Sequence, residues 1–393
     1  MVGGMARPQK QASKAVSQNV LPKRSSVRGA VSAGRKKAVP VAALFRQLST
    51  PPSSSDLYLW CDYVEVRCLT HPDKRFSRQN LIECLAELDA FSMRDGEDDE
   101  VADYDGDDGD YEGEAVDELG QFAERDPIGQ DIRDPIPTTD RRESKVSSIF
   151  AQLGVRAAVF DNGYPFALDD GLQELRLMEA RTGEHGLYLQ LLLSASLRLI
   201  DPARRAELTD EFESISEKIF RGLMPAGWEV HQFGAKASTR YRGHLYNRLA
   251  TLADDWRGYL RIKKAHLKTR NSGDGGLDLV AWHPLGADGR VGIPIAAAQC
   301  GCTAEEWSLK QLEASPSKLN IDVLHKWATY YFMPQDLLGV IDGQHDWQRR
   351  NDVASAIVID RLRIMRLARQ FDADLQYVNL TPAVLEARSY ALA

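Results

Sequence analysis

Cysteine is scarce in this 393-residue chain, with Cys61, Cys68, Cys84, Cys300 and Cys302 the only five. No two form a CxxC pair, so the spacing indicates neither a disulfide framework nor a zinc ribbon. Cys300 and Cys302 read as small packing residues. No run of about 18 apolar residues occurs, which excludes a membrane-spanning helix. The richest apolar stretch, Leu187 to Leu193, is interrupted by Gln190, is followed by Arg198, and reads as a buried helix. The N-terminus lacks the apolar core of a signal peptide, and Pro8, Pro22 and Pro40 interrupt the long amphipathic helix of a mitochondrial presequence. The cytoplasm is therefore the expected location. GxxxxGK[ST], GxGxxG, GxSxG and HExxH are also missing, which removes the sequence grounds for ATP use, serine hydrolysis and zinc proteolysis.

Charge is distributed in blocks. The net charge of −8 disfavours a nucleic-acid partner at first sight. However, Met1 to Thr50 holds ten Lys or Arg and no acid, whereas Asp95 to Glu118 holds fourteen Asp or Glu and no base. Much of the acidity belongs to that one tract, so the net value says little about the folded parts. Within the tract, Asp103, Asp105, Asp107 and Glu114 have the spacing of a calcium loop, but Asp108 occupies the position that needs glycine.

The pattern along the chain suggests five segments. Residues 1–55, rich in Lys, Arg, Ser, Gly and Ala, are expected to be a disordered basic arm. Residues 56–92 are expected to be a small α/β module, with Leu57 to Leu69 read as strand and Ser77 capping a short helix. Residues 93–146 read as an acidic disordered linker. Residues 147–224 read as a helical regulatory or partner-binding module, in which Leu208, Phe212, Ile215, Ile219 and Phe220 recur at helical spacing. In residues 225–393 the pattern predicts a helix from Arg240 to Leu260 and strands over Leu277–Trp282 and Ile293–Cys300. A helix after Thr303, a strand at Tyr330–Met333 and a long closing helix from Ile357 complete it. The expected class is α+β, with a mixed sheet.

The informative segment is Gly273-Asp274-Gly275-Gly276-Leu277-Asp278, followed by Ala296-Ala297-Ala298-Gln299-Cys300. The glycines mark a sharp backbone approach to a strand. Asp278 falls just inside that strand. Gln299 is a polar amide ending an apolar run, and so needs a partner. If the strands pair through the Gly286–Gly289 turn, Asp278 and Gln299 approach one another at one end of the sheet.

These residues resemble Mrr-type restriction endonucleases of the PD-(D/E)xK superfamily. That family has a helix with G-x-x-F-E, a D-G-G-x-D strand and a strand ending Q-x-K. This chain has Gly243-His244-Leu245-Tyr246-Asn247, then Asp274-Gly275-Gly276-Leu277-Asp278, then Gln299-Cys300-Gly301. The resemblance covers about 240–302. It implies an α-β-β-α-β restriction-endonuclease-like core and a metal-dependent DNA endonuclease serving prokaryotic defence. Asp278, Gln299 and the Cys300 carbonyl would hold Mg²⁺ or Mn²⁺, with Asp274 assisting. Asn247 stands where the family has an acid and Gly301 where it has lysine. Lys310 is the expected replacement cation, at marginal reach because seven helical residues span roughly 10 Å, with Arg242 or Arg248 as substitutes. The basic residues Arg242, Arg261, Lys263, Lys264, Lys268 and Arg270 are the expected phosphate contacts. The alternative is a catalytically inactive DNA-binding or scaffold subunit. A protein partner through 56–224 and a homodimer are both compatible with the pattern.

Overall fold

The aromatic run read as strand is a helix. In the computed structural model, which describes residues 43–94, 138–179, 182–234, 239–267, 276–304, 307–311, 313–353, 356–371 and 381–390, α1 spans Leu57–Thr70 and is buried on nearly every side. Burial all round erases the polar face that marks a helix, which leaves only the strand preference of Tyr, Trp and Val on view. The helix is legible in one pair: Asp62 and Glu65, three residues apart, project together from α1 toward the same arginine.

β1 (Arg75–Ser77) leads into α2 (Arg78–Arg94). Ser77 caps that helix as expected, its hydroxyl accepting from the Asn80 N–H at 3.2 Å. α3 (Thr138–Phe160), β2 (Phe166–Leu168) and β3 (Glu174–Leu177) follow, and the three strands form an antiparallel sheet with β3 central. The strand β1 thus finds its partner in the 147–224 segment, so residues 56–92 do not close on themselves. α4 (Gly183–Ala195) is capped by Thr182, and α5 (Arg205–Leu223) buries the predicted stripe Leu208, Phe212, Ile215, Ile219 and Phe220.

Next come β4 (Glu229–Gln232), α6 (Leu245–Asp255), β5 (Tyr259–Leu260), β6 (Leu279–Trp282) and β7 (Ile295–Cys300). After them come the one-turn helices α7 (Trp307–Lys310) and α8 (Pro316–Leu319), β8 (Ile321–Asp322) and β9 (Ala328–Phe332). The hairpin β10 (Leu338–Ile341) and β11 (Gln344–Trp347), β12 (Ile357–Ile359), α9 (Arg361–Gln370) and α10 (Pro382–Ser389) complete the described elements. The closing helix therefore begins later than predicted. Ile357-Val358-Ile359 is a β-branched strand, and Asp360 caps α9 by accepting from the Arg363 N–H at 3.1 Å.

The main sheet has the order β12-β9-β7-β6-β4. β4, β6 and β7 are antiparallel neighbours, while β7, β9 and β12 run parallel, so the class is mixed α+β. Leu279, Ala281, Ala296, Ala298 and Phe332 face the core shared with α4 and α5. Val280, Trp282, Ile295 and Ala297 pack instead with Leu249, Leu252 and Trp256 of the α6 region. The sheet is buried on both sides, which explains its unbroken apolar runs.

The segments predicted as separate modules share one core, in which Leu69, Leu153, Leu191, Ala298 and Ile364 all take part. Two boundaries move. Leu44, Phe45 and Leu48 are buried, and Arg46 donates its N–H to the Leu199 carbonyl at 2.8 Å, so packing begins inside the expected basic arm. Likewise α3 starts at Thr138, inside the expected acidic linker, with Val146 fully buried. Among the described residues, no helix is long and apolar enough to cross a membrane.

Polar groups occupy the centre. Arg156 of α3 donates to Asp62 at 2.7 Å, Glu65 at 3.0 Å and Asp336 at 2.9 Å. Arg361 of α9 donates to Asp62 at 2.9 Å and to the Pro334 carbonyl at 2.8 Å. Tyr164 and Tyr188 donate their hydroxyls to Glu65 at 2.8 and 3.0 Å. Burial pushes Glu65 and Asp336 above the usual carboxylate range despite the two guanidinium groups. Asp360 is pushed up to about 7 by burial and by the neighbouring Asp336 charge.

Folded Asp360 therefore keeps a proton that the unfolded chain gives up near pH 4. The native state binds more protons than the unfolded state across that window, so stability falls as pH rises from about 4 to about 7. Urea unfolding at stepped pH is expected to show this decline in the wild type and a shallower one in Asp360→Asn. An unchanged slope in the variant removes Asp360 as its source.

Candidate functional site

The site is built at the ends of β6 and β7. Gly276 approaches β6 with φ +79°, a left-handed conformation suited to glycine. A Cβ there would meet the Glu313 Cβ at 2.5 Å and its Oε2 at 3.0 Å. Glycine at 276 thus lets the Glu313 side chain lie against the backbone.

Asp278 is only 6% exposed and is tied down on three sides. Its N–H donates to the Ala298 carbonyl at 3.0 Å, its own carbonyl accepts from the Phe233 N–H at 2.7 Å, and its Oδ2 accepts from the Cys300 N–H at 2.6 Å. The expected convergence of Asp278 with the end of β7 occurs, but through the backbone of the residue after Gln299. Cys300 meets the Asp278 carboxylate with its N–H. Gln299 is 8% exposed, and its Oε1 has no hydrogen-bond partner. Its partner in the parallel register is Tyr331 of β9, so the two side chains share a face of the sheet.

The lysine position is closed by Tyr331. A Cβ at Gly301 would lie 2.0 Å from the Tyr331 hydroxyl, so the phenol fills the volume that a side chain at 301 would need. The hydroxyl is buried with no hydrogen-bond partner. Burial, with the neighbouring Cys302 and Cys300 and then Glu313 and Asp278 adding to it, pushes the phenol far above its usual range and keeps it a neutral donor. Burial likewise raises the Cys300 and Cys302 thiols, which suits packing rather than metal ligation.

Lys310 is held just past the end of β7. The helix after Thr303 is a single turn, so the chain folds back and the Lys310 Nζ donates to the Thr303 Oγ1 at 2.7 Å. The other expected cations separate into groups. Arg248 is buried, donates to the Phe233 carbonyl at 3.1 Å and packs on that ring, so it is unavailable as a substitute for lysine. Arg242, Lys263 and Lys264 are exposed, as is Asn247 at the expected acid position. Arg261 is exposed and pairs with Asp322 at 3.1 Å, where both side chains are more than half in solvent. Such a pair contributes little and can exchange for phosphate. Asp274, Lys268 and Arg270 lie outside the described residues.

Glu313 and Tyr331 are the residues that sequence reasoning missed. Glu313 had no signal, because its neighbour Gly276 is remote in sequence. Tyr331 had an indirect one, the glycine standing where the resemblance expects lysine. Among the described residues, no three or more His, Cys, Asp or Glu side chains are grouped to hold a metal ion. Comparison of the chain with protein-family models, curated proteins and solved structures finds no match.

Filling position 301 tests this packing. Gly301→Lys is expected to destabilise the fold by about 1–3 kcal/mol through overpacking against Tyr331. In a Tyr331→Ala background the same change should cost clearly less, as denaturant unfolding of the four-member cycle would show. Equal costs in both backgrounds would refute the steric pairing.

Proposed function

We propose that the chain is a metal-dependent DNA endonuclease built on a restriction-endonuclease-like core, acting in prokaryotic defence against foreign DNA. The observation that carries this reading is the Asp278 carboxylate, held on the Cys300 N–H at 2.6 Å, adjoining Gln299 with its buried, unpartnered Oε1. An orphaned acceptor oxygen beside a carboxylate is costly unless a donor or cation satisfies it. Hard oxygens of this kind fit Mg²⁺ or Mn²⁺, and Asp278, Gln299 and the Cys300 carbonyl would hold the ion. Bound there, it supplies an activated water and offsets negative charge on the phosphate.

The chain's own groups do the rest. The hydrogen bonds of Asp278 to both neighbouring strands fix its carboxylate without reorganisation, as electrostatic catalysis requires. Lys310, steadied by Thr303, provides positive charge beyond the end of β7 in place of the absent lysine. Arg242, Arg261, Lys263 and Lys264 provide sequence-independent phosphate contacts. A second reading, a non-cleaving DNA-binding subunit on the same fold, is favoured by Tyr331 filling position 301 and by the exposed Asn247.

Supercoiled plasmid with Mg²⁺ or Mn²⁺ separates the two. Nicking by the wild type, reduced about 100-fold or more in Asp278→Ala, is expected; binding without cleavage under either metal selects the second reading. The phosphate contacts are read separately, from DNA affinity against salt. Replacing Arg261, Lys263 and Lys264 together by Ala is expected to flatten the log–log slope by up to about 3. An unaltered slope would place the DNA elsewhere on the protein.

A further inference from the structure

The strap between β7 and α8 carries two charged side chains to the same end of the β6–β7 pair, one beside each strand. Hydrogen bonds Gln311 N–H to Trp307 O at 3.1 Å and Glu313 N–H to Lys310 O at 3.0 Å wind it into one turn, and Trp307 is fully buried beneath it. Just beyond, the Trp327 indole donates to the Ala314 carbonyl at 3.1 Å, which fixes the far side. Lys310 and Glu313, three residues apart, leave this turn in known directions. Lys310 goes to Thr303, just past β7. Glu313 goes to Gly276, just ahead of Asp278, where a glycine makes room for it.

A second carboxylate is thus brought to the mouth of β6 by a segment remote from it in sequence. Two further observations point to something held there. The Gln299 Oε1 and the Tyr331 hydroxyl are buried polar atoms without partners, on side chains 8% and 0% exposed. Tyr331 lies within the electrostatic reach of both Asp278 and Glu313. Two carboxylates brought to one strand junction repel, and a cation held by both relieves that repulsion while giving the buried Gln299 Oε1 a partner.

Resting on the nuclease reading above, we infer that Glu313 is the second carboxylate of the divalent-cation site at Asp278 and Gln299, delivered by the strap after β7 in place of the helix acid that Asn247 lacks. Gly276 is then a positioning residue, because a methyl group there displaces Glu313 without removing any ligand. The inference explains how the site can lack an acid at position 247 and still present two carboxylates to one ion.

Mn²⁺ titrated into the full-length protein by calorimetry, with no DNA present, tests this without reading activity. Wild type is expected to bind, and Asp278→Asn to lose binding. Glu313→Gln is expected to weaken affinity at least about 10-fold, the scale of a lost metal-site partner, and Gly276→Ala to weaken it in the same direction. Unfolding midpoints in EDTA matching wild type show that the Glu313→Gln fold is intact. If Asp278→Asn abolishes binding while Glu313→Gln and Gly276→Ala bind as wild type does, the role of Glu313 is overturned and the nuclease reading stands. If wild type binds no Mn²⁺ at millimolar concentration, both fall together.

Discussion

Two fully buried arginines hold the molecule together. Arg156 and Arg361 lie between Asp62, Glu65 and Asp336, with two tyrosines completing the bonds. A buried ion network gains little over well-packed apolar residues, yet is costly to break, because each lost partner strands a charge in low dielectric. Here the partners come from α1, α3, α4, α9 and the chain after β9. Their relative placement is therefore constrained by hydrogen-bond geometry as well as by apolar packing. The apolar residues around it drive collapse, and the network restricts which collapsed arrangement satisfies every charge.

The candidate site depends on that centre through the backbone. The Arg361 guanidinium donates to the Pro334 carbonyl at 2.8 Å, and the Arg361 backbone N–H donates to the Gln335 carbonyl at 2.9 Å. The Gln335 side chain in turn donates to the Cys302 carbonyl at 3.0 Å, two residues past Cys300. The end of β7 is thus joined to the buried network by a short chain of hydrogen bonds. Asp278 closes the other side, spanning from β4 to β7. Chemistry at this position would draw on preorganised groups, since their orientation is settled by the fold.

Position 301 shows how one local departure is absorbed by a remote residue. A glycine ends β7, and the phenol of Tyr331 from the adjacent parallel strand takes the vacated space. Lys310, at the end of a one-turn helix, donates to the Thr303 hydroxyl at 2.7 Å just past β7.

Amphipathic periodicity was enough to find α5, whose stripe is buried as read, and the apolar runs of β6 and β7 were evident from composition alone. Ser77 was legible as a cap because capping is a local hydrogen bond. By itself the sequence determined these short-range features, together with the presence of Asp278 and Gln299 at the ends of adjacent strands. Tertiary structure decided the rest: α1 as helix instead of strand, one shared core instead of separate modules, Tyr331 over Gly301, and Glu313 against Gly276. Each of those depends on contacts between residues distant in sequence. Periodicity and propensity report only on neighbours along the chain, and they fall silent where burial is uniform or where a partner arrives from another element.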